Sequence, residues 1–312
     1  MNKPSVFIVG AGGMVGAAAA SAIALKEIAN DIVLIDIAEE LVKGQALDLS
    51  HATAYTDGVN VRVGDYADIK EDDIVVITSG VPQKPGQSRR ELIATNARIM
   101  QSVVEGVMKQ GKPVFIIVVA NPVDTLTHVA LKASGLPKSR VFGTGTTLDT
   151  ARLRVTLAHQ LGVSQQHVHA LILGEHGDSS FPVLSAANVA GIPLEKFPGF
   201  KPEMAKNIHQ EIREAAYKII EAKKATYFGI GHAVAKLVEA LIRPTGNIYP
   251  ICSLAEGEYG LKDVVIGLPT MISPSGVRIL DDYPLNDAER KSLHDSAEIV
   301  KDITRDASAS VQ

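Results

Sequence analysis

The sequence predicts an α/β fold: a doubly wound parallel sheet followed by an α+β unit with antiparallel strands. Three observations carry the prediction. Short β-branched apolar runs alternate with helix-forming stretches through the first 143 residues. A glycine-rich turn, Gly10-Ala-Gly12-Gly13-Met-Val-Gly16, separates the first such run from the first helical stretch. Beyond about residue 144 the alternation stops, and β-rich runs punctuated by proline and glycine take over. A boundary between two units is therefore expected there, giving 1–143 and 144–312.

The bulk numbers exclude several function classes. The chain has 312 residues, 46% of them apolar, enough for a sizeable core. Its net charge of -4, with mixed signs throughout, lacks the basic face that nucleic acid requires. The single cysteine, Cys252, reads as a small buried hydrophobe and fits a reducing compartment. No signal peptide is expected ahead of the glycine turn. The longest apolar run, 114–120, is too short to cross a bilayer. A soluble cytoplasmic protein without a metal site is the expectation.

In order, residues 5–9 read as a buried strand and 17–28 as a helix. Strand, glycine turn and helix form the context of a dinucleotide fingerprint. Glycines let the backbone approach a pyrophosphate, and the helix N-terminus attracts its charge. The spacing departs from G-x-G-x-x-G, because Gly16 comes one residue late. The next strand, 32–36, ends in Asp36, 26 residues after Gly10. An acid there accepts the adenosine ribose hydroxyls and repels a 2′-phosphate, so NAD is the expected cofactor. Residues 39–51 read as a helix with Leu41, Ala46, Leu47 and Leu49 on its apolar face. Strands follow at 59–63 and 74–78, a helix at 100–110, a strand at 114–119, a helix at 122–134 and a strand at 140–142. Six strands alternating with helices make the two halves of a Rossmann-type sheet with right-handed crossovers.

Ligands bind at the carboxyl ends of strands in such sheets, and two loops stand out there. Residues 79–90, with two prolines and two glycines, read as a mobile lid. Ala120-Asn121-Pro122-Val123-Asp124 places Asn121 at the end of a buried strand, where its amide can donate to a substrate or to a nicotinamide ribose.

In the second half, a glycine-rich entry at 143 leads into a helix running to about 161. Asp149 and Arg152 share one face of it, and Arg154 points about 200° away from Arg152. Residues 167–174 alternate as a strand, with His169 on one face alongside His167, Leu171 and Leu173. His176 follows, between two glycines and two carboxylates, in Leu173-Gly-Glu-His176-Gly-Asp-Ser179. A helical region from about 206 to 241 is expected to break near Gly229-Ile-Gly231 and to expose Thr226. Residues 247–271 read as antiparallel strands. Asn286 caps a last helix, 288 to about 305.

These motifs together resemble the L-lactate/malate dehydrogenase family over nearly the whole length, and its bacterial NAD-dependent lactate branch most of all. They are Leu173 to Ser179, Leu148-Asp149-Thr-Ala-Arg152, Val119-Ala-Asn121-Pro122 and the lid ending Ser88-Arg89. The resemblance implies that His176 gives its proton to a ketone as hydride arrives and takes it back in reverse. It implies that Asp149 orients His176, that Arg152 holds the substrate carboxylate, and that Arg89, carried by the lid, polarises the carbonyl. Asn121 would bond the substrate and Thr226 would line its pocket. Gly10, Gly12, Val15, Gly16, Asp36, Tyr66, Thr78, Gly80, Val119 and Asn121 would hold NAD. In this family an arginine in the lid pairs with the second carboxylate of oxaloacetate. Gln83 stands at that position here and cannot form the pair, so pyruvate and lactate are the expected substrates. Lys84 and Arg90 bring further cations into the lid and keep malate or a broader 2-hydroxy acid as the alternative. Arg154 and His169 match the positions at which bacterial relatives bind fructose 1,6-bisphosphate at a subunit interface. A homotetramer or dimer is implied.

Overall fold

The computed structural model describes residues 3–82, 86 and 88–310. Gln83 and Lys84 lie outside the described residues. The first half builds the expected sheet. Strands β1 (Val6–Val9), β2 (Asp31–Ile35), β3 (Asn60–Val63), β4 (Ile74–Ile77), β5 (Phe115–Val118) and β6 (Val141–Gly143) pair in parallel, in the order β3-β2-β1-β4-β5-β6. Strands β1, β4 and β5 are apolar and buried at every residue. That is the signature of a parallel sheet covered on both faces.

The period of two sorts the side chains. Val6, Ile8, Ile32, Leu34, Ile74 and Val76 face helices α1 (Met14–Leu25) and α7 (Phe228–Ile242). Phe7, Val9, Val33, Val75, Ile77, Ile116 and Val118 face α3 (Arg89–Met108) and α4 (Val123–Ser134).

The antiparallel strands of the second half divide. Strands β7 (Val168–Leu173), β8 (Phe181–Val189) and β9 (Ile192–Pro193) form a separate sheet. Strands β10 (Ile248–Glu256), β11 (Lys262–Ser273) and β12 (Gly276–Ile279) instead extend the large sheet to nine strands, through Cys252 opposite Gly143. A Cβ on Gly143 would stand 2.4 Å from the Cys252 sulfur, so the bare backbone is what lets β10 dock. Cys252 is fully buried, as a small hydrophobe.

Several elements depart from the expectations. Helix α3 starts at Arg89, eleven residues before position 100. Ser88 Oγ accepts the Glu91 N–H and the Glu91 carboxylate accepts the Ser88 N–H, a reciprocal cap that starts the helix there. Arg89 and Arg90 are thus helical residues, not loop. In α2 (Glu39–Ala52) the buried face is Val42 and Ala46, while Leu41 and Leu47 are exposed. The long helical region breaks earlier than Gly229. Helix α6 (Pro202–Lys223) ends with Lys224 in the left-handed region, and α7 begins at Phe228. The ladder between β7 and β8 shifts register between His169 and Leu171. His169 is therefore exposed while Leu171 and Leu173 are buried, and His167 lies in a short helical turn before the strand. The remaining helices are α5 (Thr147–Leu161) and α8 (Asp287–Ser308), the latter capped by Asn286 as expected.

Candidate active site

The carboxyl ends of the parallel strands open onto a cavity of about 310 Å³. Val15, Val119, Asn121, Asp149, Arg152, His176 and Thr226 all line it. They come from α1, the β5–α4 turn, α5, the loop after β7 and the α6–α7 break. Ile212, Tyr217, Ile220 and Ile230 add an apolar wall that the sequence reading did not assign.

Asp149 is the centre of the polar cluster. Its Oδ2 lies 2.7 Å from His176 Nδ1, and its Oδ1 accepts from Arg152 Nη1 at 2.8 Å. One turn of α5 puts Asp149 and Arg152 on the same face. The side chains of Asp149, Arg152 and His176 keep only 13%, 17% and 27% exposure, so their charges act through little water. Burial opposes a charged His176. The facing Asp149 carboxylate, its hydrogen bond and the charge of Asp124 outweigh burial and raise the histidine above its ordinary value. Burial also opposes the Asp149 charge, but His176 and Arg152 hold that carboxyl below its usual range. With Nδ1 committed to Asp149, Nε2 is the ring nitrogen left for proton exchange. Arg152 keeps guanidinium donors beyond the one given to Asp149, enough for a planar carboxylate.

The dinucleotide turn fits a close-approaching ligand. Gly10 has φ +92, and a Cβ there would stand 2.7 Å from both Ser79 N and Thr78 Oγ1. A Cβ on Gly16 would stand 2.5 Å from Gly10 O, so the late glycine lets α1 close onto its own turn. Thr78 Oγ1 donates to Val9 O and Gly10 O. Asp36 Oδ2 accepts the Gly12 N–H at 2.9 Å, tying the acid of β2 to the turn. Gly80 lies beside Ala120 and Asn96. Tyr66 is half-buried, and its ring sits where a Cβ on Gly106 would go.

Some expected residues stand apart. Arg89 does not line the cavity. It is 66% exposed, with Nη2 3.6 Å from Glu175 Oε1. Arg90 points away, toward Asp306 on α8. Arg154 Nε donates to Ala170 O, and the guanidinium lines a second cavity of about 330 Å³ that His169 does not join. The proposed effector pair is therefore not brought into one pocket of this chain. Gln83 lies outside the described residues. Among the described residues, no group of three or more His, Cys, Asp or Glu could hold a metal ion. Likewise, no single helix among them is long and apolar enough to cross a membrane.

Other members of the site were missed in the sequence. Asp124 accepts the His176 N–H at 2.8 Å through Oδ2. The buried Glu175 accepts from Ser179 Oγ, and Ser296 Oγ on α8 accepts the Glu175 N–H. Asn96 bonds Val81 at both N–H and C=O and donates to Asn121 O. It clamps the lid base to the Asn121 turn. Its signal was a polar residue on the apolar stripe Ile93, Ala97, Met100.

A dinucleotide sheet whose carboxyl edge carries a paired histidine and carboxylate beside an arginine defines a pyridine-nucleotide oxidoreductase. Comparison with known proteins makes this specific. Residues 4–143 match the lactate/malate dehydrogenase NAD-binding domain, and residues 146–311 match the α/β C-terminal domain of the same enzymes. The chain belongs to the lactate/malate dehydrogenase family. It is 42% identical over 310 residues to an L-lactate dehydrogenase of Latilactobacillus sakei, covering 98% of this chain and 95% of that one. A lactate dehydrogenase from a deep-sea metagenome library superposes with TM-score 0.95 at 40% identity, covering 99% of this chain and 100% of that one. The ligand-bound minor L-lactate dehydrogenase of Enterococcus mundtii gives 0.93 at 39% identity, covering 97% and 98%.

Proposed function

We propose that the chain is an NAD-dependent L-lactate dehydrogenase, interconverting pyruvate and (S)-lactate. The observation that carries this is the Asp149–His176 pair at 2.7 Å with Arg152 held to the same carboxylate. NAD, when bound, supplies or accepts the hydride at the carbon that bears the oxygen. The chain's residues do the rest. Arg152 holds the substrate carboxylate through a two-pronged pair. Asn121 and Arg89 donate to the carbonyl oxygen, where negative charge builds. His176 delivers a proton from Nε2 to that oxygen in reduction and removes it in oxidation. Asp149 fixes the ring and stabilises its charged form. Gly10, Gly12, Gly16, Val15, Thr78, Gly80 and Val119 cradle the dinucleotide, Asp36 takes its ribose hydroxyls, and Tyr66 flanks it. Thr226, Ile212, Ile220 and Ile230 give the methyl group apolar surface, beside Arg213, whose charge is paired with Asp178 on the same wall.

In this reading the chain works as two units, 1–143 and 144–312, in the cytoplasm and as a homotetramer or dimer. Arg154 and His169 meet fructose 1,6-bisphosphate only across a subunit interface. Lactate rather than malate follows from Gln83. The test is the loss of NADH absorbance with pyruvate and with oxaloacetate, with and without fructose 1,6-bisphosphate. Higher kcat/KM for pyruvate is expected, and a clear preference for oxaloacetate overturns the assignment.

A further inference from the structure

Resting on His176 as the proton donor and acceptor, we infer that Asp124 is a second positioning carboxylate for this histidine. It acts through the main chain, where Asp149 acts through the ring. Asp124 is the second residue of α4 and is 3% exposed. Its Oδ2 takes the His176 N–H at 2.8 Å. Its Oδ1 is buried with no partner among the described residues. In the loop it holds, Gly174 and Gly177 flank the Glu175–His176 pair. Around it, Ser296 Oγ accepts the Glu175 N–H and Gly174 pairs through both backbone groups with Gly267 on β11, but the backbone N–H of His176 itself is held by Asp124. Asp124 also lies three residues after Asn121. The turn that presents Asn121 to the cavity thus fixes the histidine of the opposite half, and one rigid segment sets the distance between the two.

The charge adds to the tether. An amide of the same shape would accept the N–H, whereas a carboxylate costs far more to bury. Only the carboxylate places a negative field on the imidazolium. The titratable groups facing Asp124 are His176 and Glu175 from the loop and Cys252 from β10, with Asp149 and Arg152 beyond the ring. Burial pushes the Asp124 carboxyl up to about 7, against the His176 N–H and the imidazole charge. A protonated His176 therefore favours an ionised Asp124, and the reverse holds.

The test compares Asp124→Asn and Asp124→Ala in the full chain with NADH and pyruvate, with His176→Gln alongside. Asp124→Ala should lower kcat about ten- to hundredfold, the scale of a misplaced reacting group, and leave the KM for NADH within about twofold. Asp124→Asn should restore most of kcat at acid pH. Its alkaline limb should fall about one pH unit earlier, because losing a negative charge weakens the hold of His176 on its proton. Asp124→Ala with wild-type kcat and an unmoved limb overturns the inference, and so does Asp124→Asn with an unmoved limb. An active His176→Gln overturns the reading beneath it. An inactive His176→Gln beside an unaltered Asp124→Ala overturns the inference alone.

Discussion

At His176 two opposed effects set the working pH. Burial alone would strip the proton from the ring; the Asp149 carboxylate and its hydrogen bond win, with Asp124 behind them, so the histidine stays protonated above its ordinary value. Pyruvate reduction needs the protonated ring. Its rate should hold below the raised value and fall as pH rises through it. Lactate oxidation needs the neutral ring and should gain over the same interval. Asp149→Asn removes the largest raising cause, so the reduction limb should move to lower pH. Its kcat should drop about 10²- to 10⁴-fold, the range of a general acid–base contribution. NADH absorbance followed between about pH 5 and 9 reads both. A limb that stays in place would separate Asp149 from this role. Arg89 shows the same economy. Two-thirds exposed and 3.6 Å from Glu175, its ion pair is worth roughly 1 kcal/mol or less, so little holds it from turning onto a substrate.

At the scale of an element, the start of α3 matters most, because Arg89 is its first residue. The cap at Ser88 fixes where the lid ends and where that guanidinium begins. Ser88→Ala should cost about 1 kcal/mol of stability. It should also raise the KM for pyruvate while the KM for NADH holds, since the dinucleotide turn is elsewhere. An unchanged pyruvate KM would show that the cap does not position Arg89. This element also marks where the sequence was hard to read. Gly80, Pro82, Pro85 and Gly86 suggest an irregular stretch reaching to 90, and the hydrophobic period alone places the helix at 100. The Ser88–Glu91 spacing carried the information locally. In α2 the expected face is partly right: Ala46 and Leu49 lie on the packed side, Leu41 and Leu47 do not. Val42 and Ala46 are buried and Leu41 is not, because the strand behind sets the rotation of the helix. By contrast, strands β1, β4 and β5, and the Asp149–Arg152 face, were legible because each depends only on neighbours along the chain.

At the scale of the molecule, what the sequence hid is contact across long separations. Nothing near Asp124 announces that it will meet His176, 52 residues on. Nothing near residue 252 announces that β10 will join the nucleotide sheet at Gly143. The same holds for the crossing of α1 and α7, which joins the two halves beside the cavity. A Cβ on Gly231 would stand 2.8 Å from the Ala18 carbonyl carbon, so these backbones touch because α7 has a glycine there. Helix α1 carries Gly16 and the dinucleotide turn, and α7 begins two residues after Thr226. Forcing them apart should disturb both ligands at once. Gly231→Ala should destabilise by about 1–3 kcal/mol, the cost of overpacking, and raise the KM of NADH and of pyruvate together. Gly44→Ala is the control. Gly44 lies inside α2, where a Cβ would meet nothing within 4 Å. There the methyl only lowers the freedom of the unfolded chain, and a gain of about 0.5–1 kcal/mol is expected. Thermal unfolding and steady-state kinetics of the two variants decide the point. If Gly231→Ala matches Gly44→Ala in both, the α1–α7 contact is not what holds the two ligands in register.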